Sequence, residues 1–186
     1  MERTLVLIKP EGVKRGISGA ILKKFEQAGL KIVAIKMLTT TKEQLERHYT
    51  DDPAWLEEVG NKSIKSYEER GVKLKETAPE IGKRVRKGLM DALASGPVIA
   101  FVLEGNEAVA ATRKLVGATS PAKADPSSIR GKYSTDSYAL ADQKGRPVRT
   151  IVHASDSPET ASKEIAIWFK KSEIFEYKRA DEDFVY

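Results

Sequence analysis

Residues Thr150–Phe169, TIVHASDSPETASKEIAIWF, join a short apolar strand to an amphipathic helix through a turn of small polar residues. In the turn, Asp156 or Ser157 can cap the helix, and Pro158 suits its first position. Ala161, Ile165, Trp168 and Phe169 recur at helical spacing and are expected to face the core. Glu164 lies beside that stripe, about 60° from Ala161 at 100° per residue. A carboxylate half turned toward a core is costly unless a donor meets it. His153, one of only two histidines in the chain, ends the strand and is such a donor. A carboxylate on one ring nitrogen orients the imidazole and leaves the other nitrogen free to act as a nucleophile.

Upstream of this stretch, Val148–Val152 reads as the last strand. Before it, Tyr133–Gly145 alternates weakly and turns near Gln143-Lys144-Gly145, as a hairpin would. Gly117–Lys132, GATSPAKADPSSIRGK, reads as an irregular loop with Thr119 and Arg130 near its ends. The preceding helix starts after Asn106 and stops at Gly117. Arg113 is in line with Val109 and Val116 on it. Such an arginine either packs its stem while its head reaches water, or aims its guanidinium into a cleft to hold an anion. Pro97–Leu103, PVIAFVL, is wholly apolar, as a strand buried on both faces requires.

Toward the N-terminus, Thr4–Ile8 is a strand that Lys9-Pro10-Glu11-Gly12 ends, which leaves Lys9 where ligands gather. Ser18 can cap a helix with Ile21, Leu22, Phe25 and Ala28 on one face, and Gly29 terminates it. Lys31–Leu38 is a second strand. Thr41 begins a helix that carries His48 and Tyr49 and that Pro53 breaks. His48, in a charged helix without a partner in sequence, carries no chemistry in this reading. From Leu56 to about Gly88 the chain is rich in Lys, Arg and Glu with four glycines, and reads as short solvated helices added to a core. Apart from this segment, the order is strand, helix, strand, strand, helix, strand and a closing helix. That suits helices layered on one sheet, and leaves open an antiparallel split βαβ arrangement or a doubly wound parallel sheet.

The 186 residues are expected to form one domain. The chain has no cysteine, which excludes disulfides, thiol catalysis and cysteine-ligated metal. A net charge of +5 allows an anionic partner without selecting one. No apolar run is long enough for a membrane span, and MERTLVLIKPEG lacks the order of a signal peptide, so the expected location is the cytoplasm and no membrane partner is expected. There is no GxxxxGKS/T, GVKRGISG lacks the GxGxxG spacing, and neither HRD nor DFG occurs. Yet Lys9, Arg113, Thr119 and Arg130 are donors of the kind that neutralise phosphate oxygens in phosphoryl transfer.

IKPEGVKRG, EGNEAVAATRKLVGATSPA, SSIRGK, HASDSPETASKEIAIWF and EIFEYKRADEDFVY together resemble the nucleoside diphosphate kinase family over nearly the whole chain. The resemblance implies a ferredoxin-like βαββαβ core, an α/β (α+β) fold with an antiparallel sheet. It also implies a ping-pong transfer of the γ-phosphoryl group from ATP or another nucleoside triphosphate to a nucleoside diphosphate through a phosphohistidine, here His153. By motif position, Ser155 and Glu164 orient that histidine, and Tyr49 lies near it. Lys9, Arg113, Thr119 and Arg130 match phosphate and sugar contacts. Thr150 stands where the family usually has a ribose-contacting Asn, and Ala154 where a Gly is common. Trp55, in Pro53-Ala54-Trp55, is the nearest equivalent of the family's base-stacking Phe. The resemblance further implies Mg²⁺ carried by the nucleotide phosphates, with no protein metal ligands, and a homo-oligomer, a hexamer or in some branches a tetramer. It leaves two insertions, at about 56–88 and about 134–145; the second is a candidate arm to a neighbouring subunit. RNA-recognition domains share the split βαβ core, but these strands lack the RNP aromatic pattern, so nucleic acid is not an expected partner.

Overall fold

The computed structural model describes residues 1–185. In order, the elements are β1 (Glu2–Ile8), α1 (Pro10–Lys14), α2 (Ser18–Gln27), β2 (Lys31–Leu38), α3 (Lys42–His48), α4 (Pro53–Glu68), α5 (Ala78–Ala94), β3 (Val98–Gly105), α6 (Ala108–Val116), α7 (Ile129–Tyr133), α8 (Tyr138–Gln143), β4 (Val152–Ala154), α9 (Pro158–Trp168) and α10 (Glu182–Val185). The four strands form one antiparallel sheet in the order β2-β3-β1-β4, the split βαβ arrangement rather than the doubly wound one.

Successive strand residues point to opposite faces, so a strand with helices on both sides must be apolar throughout. β1 and β3 meet that condition. Val6, Ile8, Phe101 and Leu103 pack on one face with Ile21 and Phe25 of α2 and Val116 of α6. Leu5, Leu7, Ala100 and Val102 pack on the other with Leu45 of α3, Leu93 of α5 and Trp168 of α9. The tail runs along β2, where the Phe175 amide donates to Val33 O at 2.8 Å and the Tyr177 hydroxyl to Ile32 O at 2.8 Å. From sequence the chain's last residues, Phe184-Val185-Tyr186, are expected to pack, but Phe184 is exposed, and Tyr186 lies outside the described residues. Among the described residues, no helix is long and apolar enough to cross a membrane.

Several local expectations are corrected. Residues 56–88 are helical and largely exposed as expected, but the helices are not short: apart from the connecting 69–77 they belong to α4 and α5, of 16 and 17 residues, packed on each other. Gly60 and Gly82 are the contact points between the two helices. A Cβ on Gly60 would stand 1.8 Å from Ala78 O, and one on Gly82 2.0 Å from Leu56 O. Pro53 does not end the preceding helix, which stops at His48; it opens α4, with Asp52 as cap. The stretch 134–145 is no hairpin. Ser137 caps the short helix α8, whose Asp142 accepts from Tyr67 of α4 and from Arg70 just beyond it, both at 2.5 Å, so it docks on that helix. Ser18 is the first helical residue rather than the cap, and Glu107, not Asn106, holds the cap position of α6. β4 starts only at Val152, because Ile151 adopts a φ of 65° that no strand accommodates.

Candidate active site

β4 pairs with the centre of the sheet, opposing His153 to Leu7. The chain then turns at once into α9, where the Ser157 hydroxyl accepts from the Thr160 amide and Pro158 is the first residue. Ala161 and Trp168 anchor the helix in the core, which brings Glu164 under the imidazole. The Glu164 carboxylate meets His153 Nε2 at 2.9 and 3.0 Å and accepts from the Ser155 hydroxyl at 2.5 Å. Burial pushes its carboxyl up, but His153, His48 and Ser155 outweigh burial and hold it below the usual carboxylate range. An ionised carboxylate fixes the proton on Nε2, so Nδ1 keeps its lone pair. The His153 side chain is 23% exposed, enough to reach a substrate.

His48, given no role from sequence, lies in this cluster. Its side chain is fully buried, and its ring stands edge-on to that of His153, with centroids 4.6 Å apart. Trp168 Nε1 donates to His48 Nδ1 at 3.3 Å, which places the His48 proton on Nε2. Burial, with the His153 imidazole and the Lys9 ammonium nearby, drives its pKa down to about 3 against the pull of Glu164, so it stays neutral. Ligand atoms of His48, His153 and Glu164 lie within 4.8 Å of one another, the one such group among the described residues. Two imidazoles and a carboxylate suit zinc. Here, however, the Trp168 N–H occupies one His48 nitrogen and the imidazole proton the other.

The donors singled out from sequence converge on one cleft with His153. Lys9, Arg113, Thr119 and Arg130 line it, with Tyr49, Trp55 and Thr150. Lys9 is buried where β1 ends, and its Nζ donates to Thr150 Oγ1 at 2.8 Å. Burial lowers its pKa to about 8; Glu11 opposes that shift and Arg130 adds to it. Arg130 donates to Thr150 O, Gly117 O and Val152 O at 3.2, 2.8 and 2.9 Å. Burial and Arg113 bring its pKa to about 10, which leaves it cationic at neutral pH. Arg113 is not turned toward the core as its spacing with Val109 and Val116 suggests. Thr112 fills that position, and the exposed Arg113 faces the cleft.

Tyr49 is buried with its ring 4.7 Å from that of His48, and burial raises its phenol pKa well above the usual value. Trp55 both packs on the core and lines the cleft. α4, α5 and α8 wall the outer end. The cleft measures about 1370 Å³, above the roughly 300–1,000 Å³ of ordinary ligand pockets. A nucleophilic nitrogen beside buried cations, in a cleft of this size, is equipped to receive a phosphoryl group from an extended polyanion.

The nucleoside diphosphate kinase family profile matches residues 2–55 and 62–174. The chain is 46% identical over 181 residues to the nucleoside diphosphate kinase of Pyrobaculum aerophilum, covering 95% of this chain and 99% of that one. It is 39% identical over 186 residues to that of Archaeoglobus fulgidus, covering 100% and 98%. The crystal structure of the P. aerophilum NDP kinase matches with a TM-score of 0.90 at 44% identity, over 94% of this chain and 99% of that one. A Borrelia burgdorferi nucleoside diphosphate kinase with bound vanadate and ADP, a transition-state mimic, matches with a TM-score of 0.79 at 35% identity, over 97% and 94%. The sheet order, the cleft and the extent of these matches agree, and the chain belongs to the nucleoside diphosphate kinase family.

Proposed function

We propose that this phosphotransferase works through His153 Nδ1. The observation that carries the reading is the Glu164 carboxylate on Nε2, which leaves Nδ1 as the nucleophile. Nδ1 attacks the γ-phosphorus of a nucleoside triphosphate, the P–O bond to the β-phosphate breaks, and the diphosphate leaves. A β-phosphate oxygen of a second diphosphate then attacks the phosphorus, the P–N bond breaks, and the imidazole returns neutral. While phosphorylated, the ring keeps its Nε2 proton and a positive charge, which the Glu164 anion stabilises. Ser155 holds the carboxylate in place. Lys9, Arg113, Arg130 and Thr119 take the phosphate oxygens, and Tyr49 closes the wall beside the imidazole. Trp55 stacks on the base, and Thr150 reaches the sugar while it holds Lys9. The Borrelia relative, captured with vanadate and ADP, supports this chemistry.

The substrate is the Mg²⁺ complex of the nucleotide. Mg²⁺ takes oxygen and water ligands, so the imidazole-rich cluster around His153 is the wrong donor set, and the ion arrives on the phosphates. The enzyme maintains triphosphate pools in the cytoplasm. It works as a homo-oligomer, a hexamer or alternatively a tetramer; the exposed Ile35 and Met37 on edge strand β2 and the exposed Phe175 beside it supply apolar surface for subunit contact. A light-scattering mass equal to the 20.6 kDa chain contradicts the assembly.

A shared phosphoenzyme makes a kinetic prediction. Initial rates with MgATP varied at fixed GDP concentrations give parallel double-reciprocal lines. Lines that intersect indicate direct transfer between two bound nucleotides and end this reading.

A further inference from the structure

Between Thr150 and Val152 the backbone makes an uncommon turn. Ile151 has a φ of 65°, and the Val152 amide donates back to Thr150 O at 2.7 Å. That pattern is the rare γ-turn, and a β-branched residue in it is strained. Such a conformation persists only where its surroundings over-determine it. Here the segment from Lys9 to Glu11 grips both polar groups of Ile151. The Lys9 amide donates to Ile151 O at 2.8 Å, and the Glu11 carboxylate accepts from the Ile151 amide at 2.8 Å. Gly12 lets the segment approach: a Cβ there would stand 2.8 Å from Ile8 Cγ2 and 3.1 Å from Ile151 Cγ2.

The turn aims groups that the reaction needs. Thr150 O and Val152 O converge on the Arg130 guanidinium, and the Thr150 hydroxyl accepts from Lys9 Nζ. His153 follows directly after Val152. A regular strand through Ile151 would turn the Thr150 hydroxyl and these carbonyls elsewhere, because successive strand residues alternate in direction. We propose that Glu11 is a positioning residue for phosphoryl transfer: its carboxylate clamps the left-handed turn at Ile151 and so sets Lys9, Arg130 and His153 in register. Glu11 touches no phosphate in this scheme; it acts through the backbone of residue 151. The inference rests on the roles proposed above for those three residues.

The test compares wild type, Glu11→Ala and Glu11→Gln. It reads the first-order rate of phosphorylation at saturating MgATP, ADP affinity by calorimetry, the melting temperature and exchange of the Ile151 amide proton. Displacement by about 1 Å costs on the order of 10²-fold in rate, so Glu11→Ala slows phosphorylation by about 10- to 100-fold. ADP affinity falls by about threefold or less, because ground-state contacts are less demanding of geometry. The Ile151 amide loses protection. Glu11→Gln presents an oxygen to the same amide and recovers the rate to within about threefold. Glu11→Ala phosphorylated at the wild-type rate per folded molecule, or Glu11→Gln as slow as Glu11→Ala, overturns the proposal. The amide readout separates the two readings. A protected Ile151 amide in Glu11→Ala removes the clamp even if His153 is the nucleophile, whereas wild type phosphorylated elsewhere removes His153 and leaves the clamp standing.

Discussion

His153→Ala folds but does not form the phosphoenzyme, and its turnover falls by at least about 10⁴-fold, the scale of losing a covalent nucleophile. Folding survives because the imidazole sits partly exposed on a three-residue strand, whose pairing with β1 uses backbone groups. Glu164 loses one partner but keeps the Ser155 hydroxyl. The stability cost is therefore that of one weakened buried hydrogen bond, about 1–3 kcal/mol. Labelling with γ-labelled ATP checks the chemistry. In wild type the label is acid-labile and base-stable, as a phosphoramidate is, and GDP or UDP discharges it. In His153→Ala no label is retained. Normal labelling of the variant places the nucleophile elsewhere.

Glu164→Gln is expected to lower kcat by about 10²- to 10⁴-fold with KM little changed, by analogy with amide replacements of carboxylates that orient a catalytic imidazole. An amide presents both a donor and an acceptor to Nε2. In the donor orientation the proton moves to Nδ1 and the nucleophilic lone pair is lost. In the acceptor orientation the tautomer survives, but no negative charge stabilises the phosphorylated ring. Both routes slow the chemical step more than nucleotide binding, because the cations that hold the phosphates are untouched. Steady-state kinetics on a variant shown to be folded checks the split. Turnover within a few-fold of wild type means that the His153–Glu164 contact is structural only.

The reach of the sequence followed the range of the forces involved. β2 was legible to the residue, and the all-apolar PVIAFVL announced a strand covered on both faces, because those signals lie within one element. The His153–Glu164 contact spans only 11 residues, so a strand end and a helical spacing sufficed to anticipate it. His48 was missed because its partner Trp168 is 120 residues away and no local pattern points there. The lengths of α4 and α5 were misread because a charged segment with four glycines reads as short helices, whereas Gly60 and Gly82 admit a neighbouring backbone. α8 was taken for part of a hairpin because six residues carry almost no periodicity, and only Ser137 signals the cap. The turn at Ile151 was hidden for a fourth reason. An isoleucine in an apolar run reads as strand, and the groups that hold its left-handed turn, the Lys9 amide and the Glu11 carboxylate, come from the other end of the chain.

The most direct measurement is the position of phosphorus on the trapped phosphoenzyme, read by heteronuclear NMR correlating ³¹P with the imidazole nitrogens and carbons. Glu164 on Nε2 predicts a phosphoryl group on Nδ1 of His153. Phosphorus on Nε2, or on any residue other than His153, contradicts it.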